Sequence, residues 1–266
     1  MVNNLRPNNT CRVINNDVQE PLYSLLTPTL TKTNLEHSYT TKQHATNKIK
    51  TKKSGNLQLY HQNIRGLHNK IKELTTQWTK HYPHLLCFTE HHLKETEINN
   101  IHIENYTLGT SYCRHSRTHV GVGIFLYHSL SYTTINLNKI GSDYNFEACA
   151  IKLMLSTNIY HILCIYRPPA GNFTTFLLRL ESALTQLYSN TMNLIICGDI
   201  NVNYLQDSRN KSLLNSLLAS FNLHSAVNFP TRISSKSSTI IDNIFINNLK
   251  KSRLLYNTCI EWIIRP

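Results

Sequence analysis

Short apolar runs that stop abruptly at a polar residue recur along this chain from Leu57 onward, with helical stretches between some of them. Runs of that length bury a strand rather than a long helix, so the alternation predicts an α/β domain. Leu57 to Asn63 alternates as a strand, His68 to His81 has helical character with Leu74 and Trp78 one turn apart, and Leu85 to Glu90 reads as a compact buried strand. Gly121 to Tyr127, Glu147 to Leu155 and Ile159 to Tyr166 follow as strands, the last two close enough to form a hairpin. Pro168-Pro169 ends that hairpin, because proline has no N–H to give a ladder. Phe173 to Tyr188 predicts an amphipathic helix, Asn193 to Asp199 a buried strand, Ser208 to Phe221 a helix capped by Asp207 or Ser208, and Ser238 to Ile246 a strand. Hairpins mixed with helical crossovers imply a sandwich of mixed sheets with helices outside.

Charge narrows the partners. Among 266 residues, 27 Lys and Arg stand against 15 Asp and Glu, for a net +12, which points to a polyanion such as nucleic acid. Residues 1–55 are poor in sustained apolar pattern, carry 8 basic and 3 acidic residues, and end in Lys48-Ile-Lys-Thr-Lys52-Lys53, so they read as a flexible basic tail. The remainder keeps +7 and is basic in its own right. No run is long and apolar enough for a membrane span, and the N-terminus has no apolar segment of the secretory kind; both exclude a membrane partner and imply an intracellular protein. The seven Cys form no C-x-x-C pair, and Cys87, Cys149, Cys164 and Cys197 lie in apolar runs, the pattern of buried free thiols in a reducing compartment.

Polar residues at the ends of buried strands are the candidates for chemistry. Period two sends Leu57, Leu59, His61 and Asn63 to one face, and Leu86, Phe88 and Glu90 to another, so Asn63 and Glu90 each sit where a core face runs out. A carboxylate there is well placed for a divalent cation. In Leu194-Ile-Ile-Cys-Gly-Asp-Ile-Asn201, Asp199 and Asn201 follow a buried strand and share one side; the first suits a base toward water, the second a hydrogen bond beside a phosphate. Tyr166 and Arg167 end a strand with a phenol and a guanidinium, both fitted to phosphate oxygens. Asp242 lies within an apolar strand and needs a partner or an exposed edge. His91 and His92, adjacent on an extended backbone, read as surface or DNA-facing residues, and His128 and His161 as packing within or beside strands.

Gln62-Asn-Ile-Arg-Gly66, Phe88-Thr-Glu90, Ile165-Tyr-Arg-Pro-Pro169, Gly198-Asp-Ile-Asn201, Phe229-Pro-Thr-Arg232 and Ile240-Ile-Asp-Asn-Ile-Phe245, in that order, resemble the endonuclease/exonuclease/phosphatase superfamily. More narrowly they resemble the apurinic-type endonuclease domain of non-LTR retrotransposons of arthropods. The resemblance implies a four-layer sandwich of two mixed β-sheets flanked by helices. It implies Mg²⁺ as cofactor with Glu90 the principal ligand and Asn63 beside it, and DNA as partner. It further implies Asp199 as the base or orienter of water, Asn201 and Tyr166 on the scissile phosphate, Asp242 as orienter of a catalytic histidine, and Thr231 and Arg167 as DNA contacts. Action on chromosomal DNA implies a nuclear protein.

One departure stands out. Relatives carry Ser-Asp-His some way after the position of Asp242, whereas the last His here is His224. The resemblance therefore implies a domain over 56–260 that lacks its last catalytic strand, with a non-family end at 261–266, as in a truncated copy. A catalytically dead DNA-binding remnant and a phosphatase of the same fold are the alternatives. Neither oligomeric state nor target-site preference is legible in the sequence.

Overall fold

The computed structural model describes residues 57–77, 82–114, 120–189, 193–235, 237–247, 252–256 and 260–264. Within them the chain runs β1 (Leu57–Asn63), a 3-10 turn (His68–Lys70), α1 (Ile71–Gln77), β2 (Leu85–Thr89), α2 (Glu95–Ile98), β3 (Tyr106–Tyr112), β4 (Val122–Tyr127), β5 (Ser131–Ile135), β6 (Glu147–Leu155), β7 (Asn158–Tyr166), α3 (Phe173–Leu187), β8 (Asn193–Asp199), α4 (Arg209–Ser220), β9 (His224–Ser225), β10 (Arg232–Ile233), β11 (Ser238–Thr239), β12 (Asp242–Ile246), β13 (Ser252–Tyr256) and β14 (Ile260–Ile264). The basic tail read over 1–55 and the Trp78 end of the first helix lie outside the described residues.

Among these residues the strands form two six-stranded sheets, β13-β14-β1-β2-β4-β3 and β5-β6-β7-β8-β12-β9, and a separate hairpin of β10 and β11. Both sheets are mixed: β1 runs parallel to β2 and β7 to β8, while β2–β4 and β6–β7 are antiparallel. Strand alternation then fixes the layers. Tyr160, Ile162, Cys164 and Tyr166 of β7 point into the core between the sheets, with Leu57 and Leu59 of β1, Leu85 and Cys87 of β2, and Ile195 and Cys197 of β8. Leu163 and Ile165 point the other way and meet Phe176, Leu180, Ala183 and Leu184 of α3 and Leu214 and Leu218 of α4. The outer face of the first sheet, with Leu86, Phe88 and Phe125, is covered by Leu74 and Ile98 from α1 and α2. Helix, sheet, sheet, helix is the four-layer sandwich expected. No helix among the described residues is long and apolar enough to cross a membrane.

Three details differ from the sequence reading. The stretch Ser238 to Ile246 divides into β11 and β12, because the carbonyls of Ile240 and Ile241 accept from Tyr204 and Ile200 of the loop after β8. That loop draws the chain out of one strand and lets Asp242 open the next. Strands β3 and β5, half-exposed and rich in Thr and Ser, gave no apolar run to read. Finally, β14 pairs antiparallel with β1, Ile260 opposite His61, at an end of the chain where no strand was read. What this end of the chain lacks is a histidine.

Candidate active site

Register places the polar strand ends in one row. Glu147 pairs with Tyr166, Tyr166 with Asp199, and Asp199 with Asp242, on four neighbouring strands of the second sheet. All four share the parity of residues in the inter-sheet core, so they face Asn63 and Thr89, paired on the first sheet. One residue pair deeper, Cys149, Cys164 and Cys197 lie side by side, with His61 and Cys87 paired on the sheet opposite. Cys87, Cys149, Cys164 and Cys197 are buried free thiols, as read, and Cys164 Sγ reaches across the layer to the Phe88 carbonyl at 3.7 Å.

Asn63 ties the two sheets together. Its Nδ2 donates to Glu90 Oε1 at 2.9 Å and to Asp199 Oδ2 at 2.8 Å. Glu90 does not arrive by continuing β2, as its grouping with Leu86 and Phe88 implied, since those two pack on the outer face. Its φ of 53° turns the backbone and swings the carboxylate to Asn63. Positive φ also marks Arg65, His92 and Asn201, so four of the eight non-glycine residues held in the left-handed region, among the described residues, lie at or beside this row. At Gly198 any Cβ would run into the Ile165 carbonyl, which explains the glycine before Asp199. The tight approach lets Asp199 Oδ1 accept from the Asn201 N–H at 3.0 Å, while Asn201 Nδ2 donates to the Arg167 carbonyl at 2.8 Å. Tyr166 is hydrogen-bonded to Glu90; burial, then the carboxylates of Glu90 and Asp199, raise its pKa and keep it a phenol.

A cavity of roughly 470 Å³ opens beside this row, lined by His61, Asn63, Arg65, Asp199, Thr231 and Asp242 among others, with exposed Arg232 and Ile233 of the β10–β11 hairpin at its rim. Thr231 Oγ1 accepts from the N–H groups of Ile241 and Asp242, both at 3.2 Å, so its hydroxyl braces the start of β12. Arg167 corrects the sequence reading outright. It is buried, with Nε on the Ile200 carbonyl at 2.7 Å, Nη2 on Asn201 at 2.8 Å, and Nη1 on Pro168 and Gly171 at 3.3 Å, because the loops after β7 and β8 fold over it. A DNA phosphate has no access to it. His91 is likewise fully buried, its Nδ1 accepting from Leu93 N–H at 3.0 Å, so it shapes the Glu90 loop instead of facing DNA.

Sequence reasoning passed over Glu147, Arg114 and His61. Glu147 is fully buried, paired with Arg114 and accepting from Gly121 N–H at 2.9 Å. His61 is 1% exposed, and burial lowers its pKa, leaving a neutral ring. The signal for both is a lone polar residue on the core-facing parity of an apolar strand.

The donor set fits one hard cation with few protein ligands. Asn63 Oδ1 is buried without a hydrogen-bond partner among the described residues, next to the Glu90 carboxylate to which its own Nδ2 is bound. No group of three His, Cys, Asp or Glu side chains among those residues could hold a metal, so a cation here would rest on few protein ligands. Without a cation the carboxyls are strained electrostatically. Asp199 is pushed up to about 6 by burial, against the hydrogen bonds of Asn63 and Asn201. Asp242 is pushed up to about 8 by burial and then by Asp199, against a bond to Thr231. Folding therefore takes up protons. The stability this contributes is complete below pH 4 and is lost as pH rises through about 6 for Asp199 and about 8 for Asp242. Metal-free protein is expected to melt at progressively lower temperature from pH 5 to pH 9 by scanning calorimetry, with Mg²⁺ blunting the fall; a flat profile would show these carboxyls to be unstrained.

The family described as endonuclease-reverse transcriptase matches residues 160–262, from β7 into β14. No curated protein matches the chain by sequence. Among solved structures, the endonuclease domain of TRAS1, a telomere-specific non-LTR retrotransposon, superposes with a TM-score of 0.63 at 13% identity, over 79% of this chain and 98% of that one. TDP2 of D. rerio, complexed with single strand DNA product, gives 0.55 at 11% over 79% and 98%, and the 3'-5' exonuclease NExo of Neisseria meningitidis 0.58 at 13% over 79% and 100%. Residues 160–262 thus match the endonuclease-reverse transcriptase family, and the chain shares its fold with the endonuclease domain of a non-LTR retrotransposon.

Proposed function

We propose that the chain is a Mg²⁺-dependent DNA endonuclease of the retrotransposon kind, hydrolysing one phosphodiester of its target slowly because, among the described residues, no histidine stands beside Asp242. The carrying observation is the Asn63 bridge, which gathers a candidate metal carboxylate and a candidate base from opposite sheets. The neighbours support it: a retrotransposon endonuclease, and TDP2 with DNA product. Glu90 and Asn63 Oδ1 would hold Mg²⁺, which when bound stabilises charge on the leaving 3′-oxygen. Asp199, with its pKa near 6, takes the proton of the attacking water near neutral pH. Asn201 has one amide N–H left for the phosphate after bonding Arg167, whereas the single O–H of Tyr166 is held by Glu90 and must leave it to meet the phosphate. The exposed Arg65 and Arg232, with the basic tail, meet the DNA backbone. Such work on chromosomal DNA belongs in the nucleus.

Nicking of supercoiled plasmid tests this. Slow, Mg²⁺-dependent conversion to open circle, lost in EDTA and in Asp199→Ala, is the expected result. Glu90→Gln should also weaken Mg²⁺ binding in calorimetry without altering circular dichroism; unchanged affinity removes Glu90 from the metal site. DNA affinity should fall steeply with salt, by about 0.9 in log–log slope for each phosphate contacted, and removal of 1–55 should lower it further. The alternative, a DNA-binding remnant without activity, is favoured by Asp242 Oδ1, which has no hydrogen-bond partner among the described residues. Salt-dependent binding with no nicking at any Mg²⁺ concentration would decide for it.

A further inference from the structure

The floor of the cavity holds a histidine that the hydrolytic reading leaves unused. His61 continues the core-facing parity of Leu57 and Leu59 and lines the cavity one residue pair below Asn63. Its side-chain neighbours at that level are weakly polar: Cys87 beside it in β2 and Cys197 close by on the opposite sheet. Both ring nitrogens are buried, and neither has a hydrogen-bond partner among the described residues. A buried donor and acceptor left unmatched destabilise a fold, and a leucine or phenylalanine would avoid the penalty. The same cavity presents two further buried atoms in that condition, Asn63 Oδ1 and Asp242 Oδ1. A neutral imidazole offers one donor and one acceptor, and a carboxylate or amide oxygen accepts, so the shared complement of the three is a molecule that both donates and accepts. Buried water needs two to four such partners, and about 30 Å³ of room.

We propose that His61 is a positioning residue of the hydrolytic site, its imidazole anchoring an ordered water in the cavity floor that gives Asp242 Oδ1 its hydrogen-bond donor. The inference rests on the endonuclease reading for its role in turnover, but not for the water itself. His61 holds the water from the first sheet and Asp242 receives it from the second, so the carboxyl is fixed next to Asp199 although no histidine follows it in the chain.

A crystal structure of the full chain tests the water, and steady-state nicking by His61→Phe and His61→Gln tests its role. Density within hydrogen-bond distance of both a His61 nitrogen and Asp242 Oδ1 is expected. With it, His61→Phe should keep or raise the melting temperature while kcat falls about 10- to 100-fold at unchanged KM, the loss usual for removing a group that orients a site residue. His61→Gln, which keeps donor and acceptor, should recover part of that loss and guards against a Phe variant that fails to fold. A dry floor, a water bound to backbone alone, or an unchanged kcat in His61→Phe overturns the proposal. If the unaltered protein proves unable to nick DNA, the endonuclease reading fails, and the density by itself decides for or against His61 as the water's anchor.

Discussion

Plasmid nicking should rise by about 10²- to 10⁴-fold, or ~3 to 5 kcal/mol of barrier, when a Ser-Asp-His sequence is introduced ahead of β14 in a register that brings its histidine to Asp242. β14 opens with Ile260 opposite His61, two residues along β1 from Asn63, so a histidine on the parity of Asn63, not that of Gln62, is the one to install. In that register it would give Asp242 a charged partner and the reaction a group to stabilise developing charge. Melting temperature should rise with the rate, since a buried carboxyl gains its counter-charge. Adding Asp199→Ala should cancel the gain in rate while leaving the gain in stability. A variant that is stabilised yet inert would place the defect elsewhere in the site.

Arg167→Ala should cost about 3 to 5 kcal/mol of stability, measured by urea unfolding. Its guanidinium joins four backbone carbonyls of the segments after β7 and β8 and lies 5.5 Å from the Phe173 ring centroid. Truncation strands these acceptors in the interior, among them the carbonyls that hold Ile200 and Asn201 in place. Arg167→Lys should recover little, because an ammonium cannot reproduce the planar fork. If Arg167 instead touched DNA, the variant would keep its stability and lose about one unit of salt slope.

The contrast shows how far the sequence could be read. Asn63 and Asp199 were singled out because each closes a buried strand on the core-facing parity, and Asp242 because it lay within an apolar strand that the structure instead begins at it; folding brings all three to the same core-facing side. Glu90 was found for a reason that does not hold: its parity pointed away from the site, and a left-handed turn that no periodicity reveals brought it back. Arg167 was misread because a guanidinium at a strand end resembles a surface anchor until the loops that bury it are known. His61 and Glu147 were passed over as single polar residues in apolar runs, where only the facing sheet distinguishes a packing position from a cavity floor. The layer order was legible from the mixture of hairpins and crossovers, whereas β3 and β5 were not, being edge-exposed and written in Thr and Ser.

The thiol layer under the site has a consequence for how the molecule can change. Glu90 and Asn63 ride on one sheet, Tyr166, Asp199 and Asp242 on the other, and the separation between those two rafts is set by the thickness of what lies between them. Directly beneath the polar row that filling includes Cys87, Cys149, Cys164 and Cys197, beside His61, Ile124 and Ile244, and the thiols are smaller than the Ile, Leu and Tyr of the deeper core. Enlarging one of them by a methylene or two would wedge the rafts apart by a fraction of an ångström, too little to unfold the domain but enough to lengthen the Asn63 bridge. The width of the gap is thus a property inherited from residues no substrate ever meets. Drift at Cys164 should register first as slower turnover with DNA affinity intact, and a lineage could retune the reaction by repacking the interior without altering a single group that touches DNA.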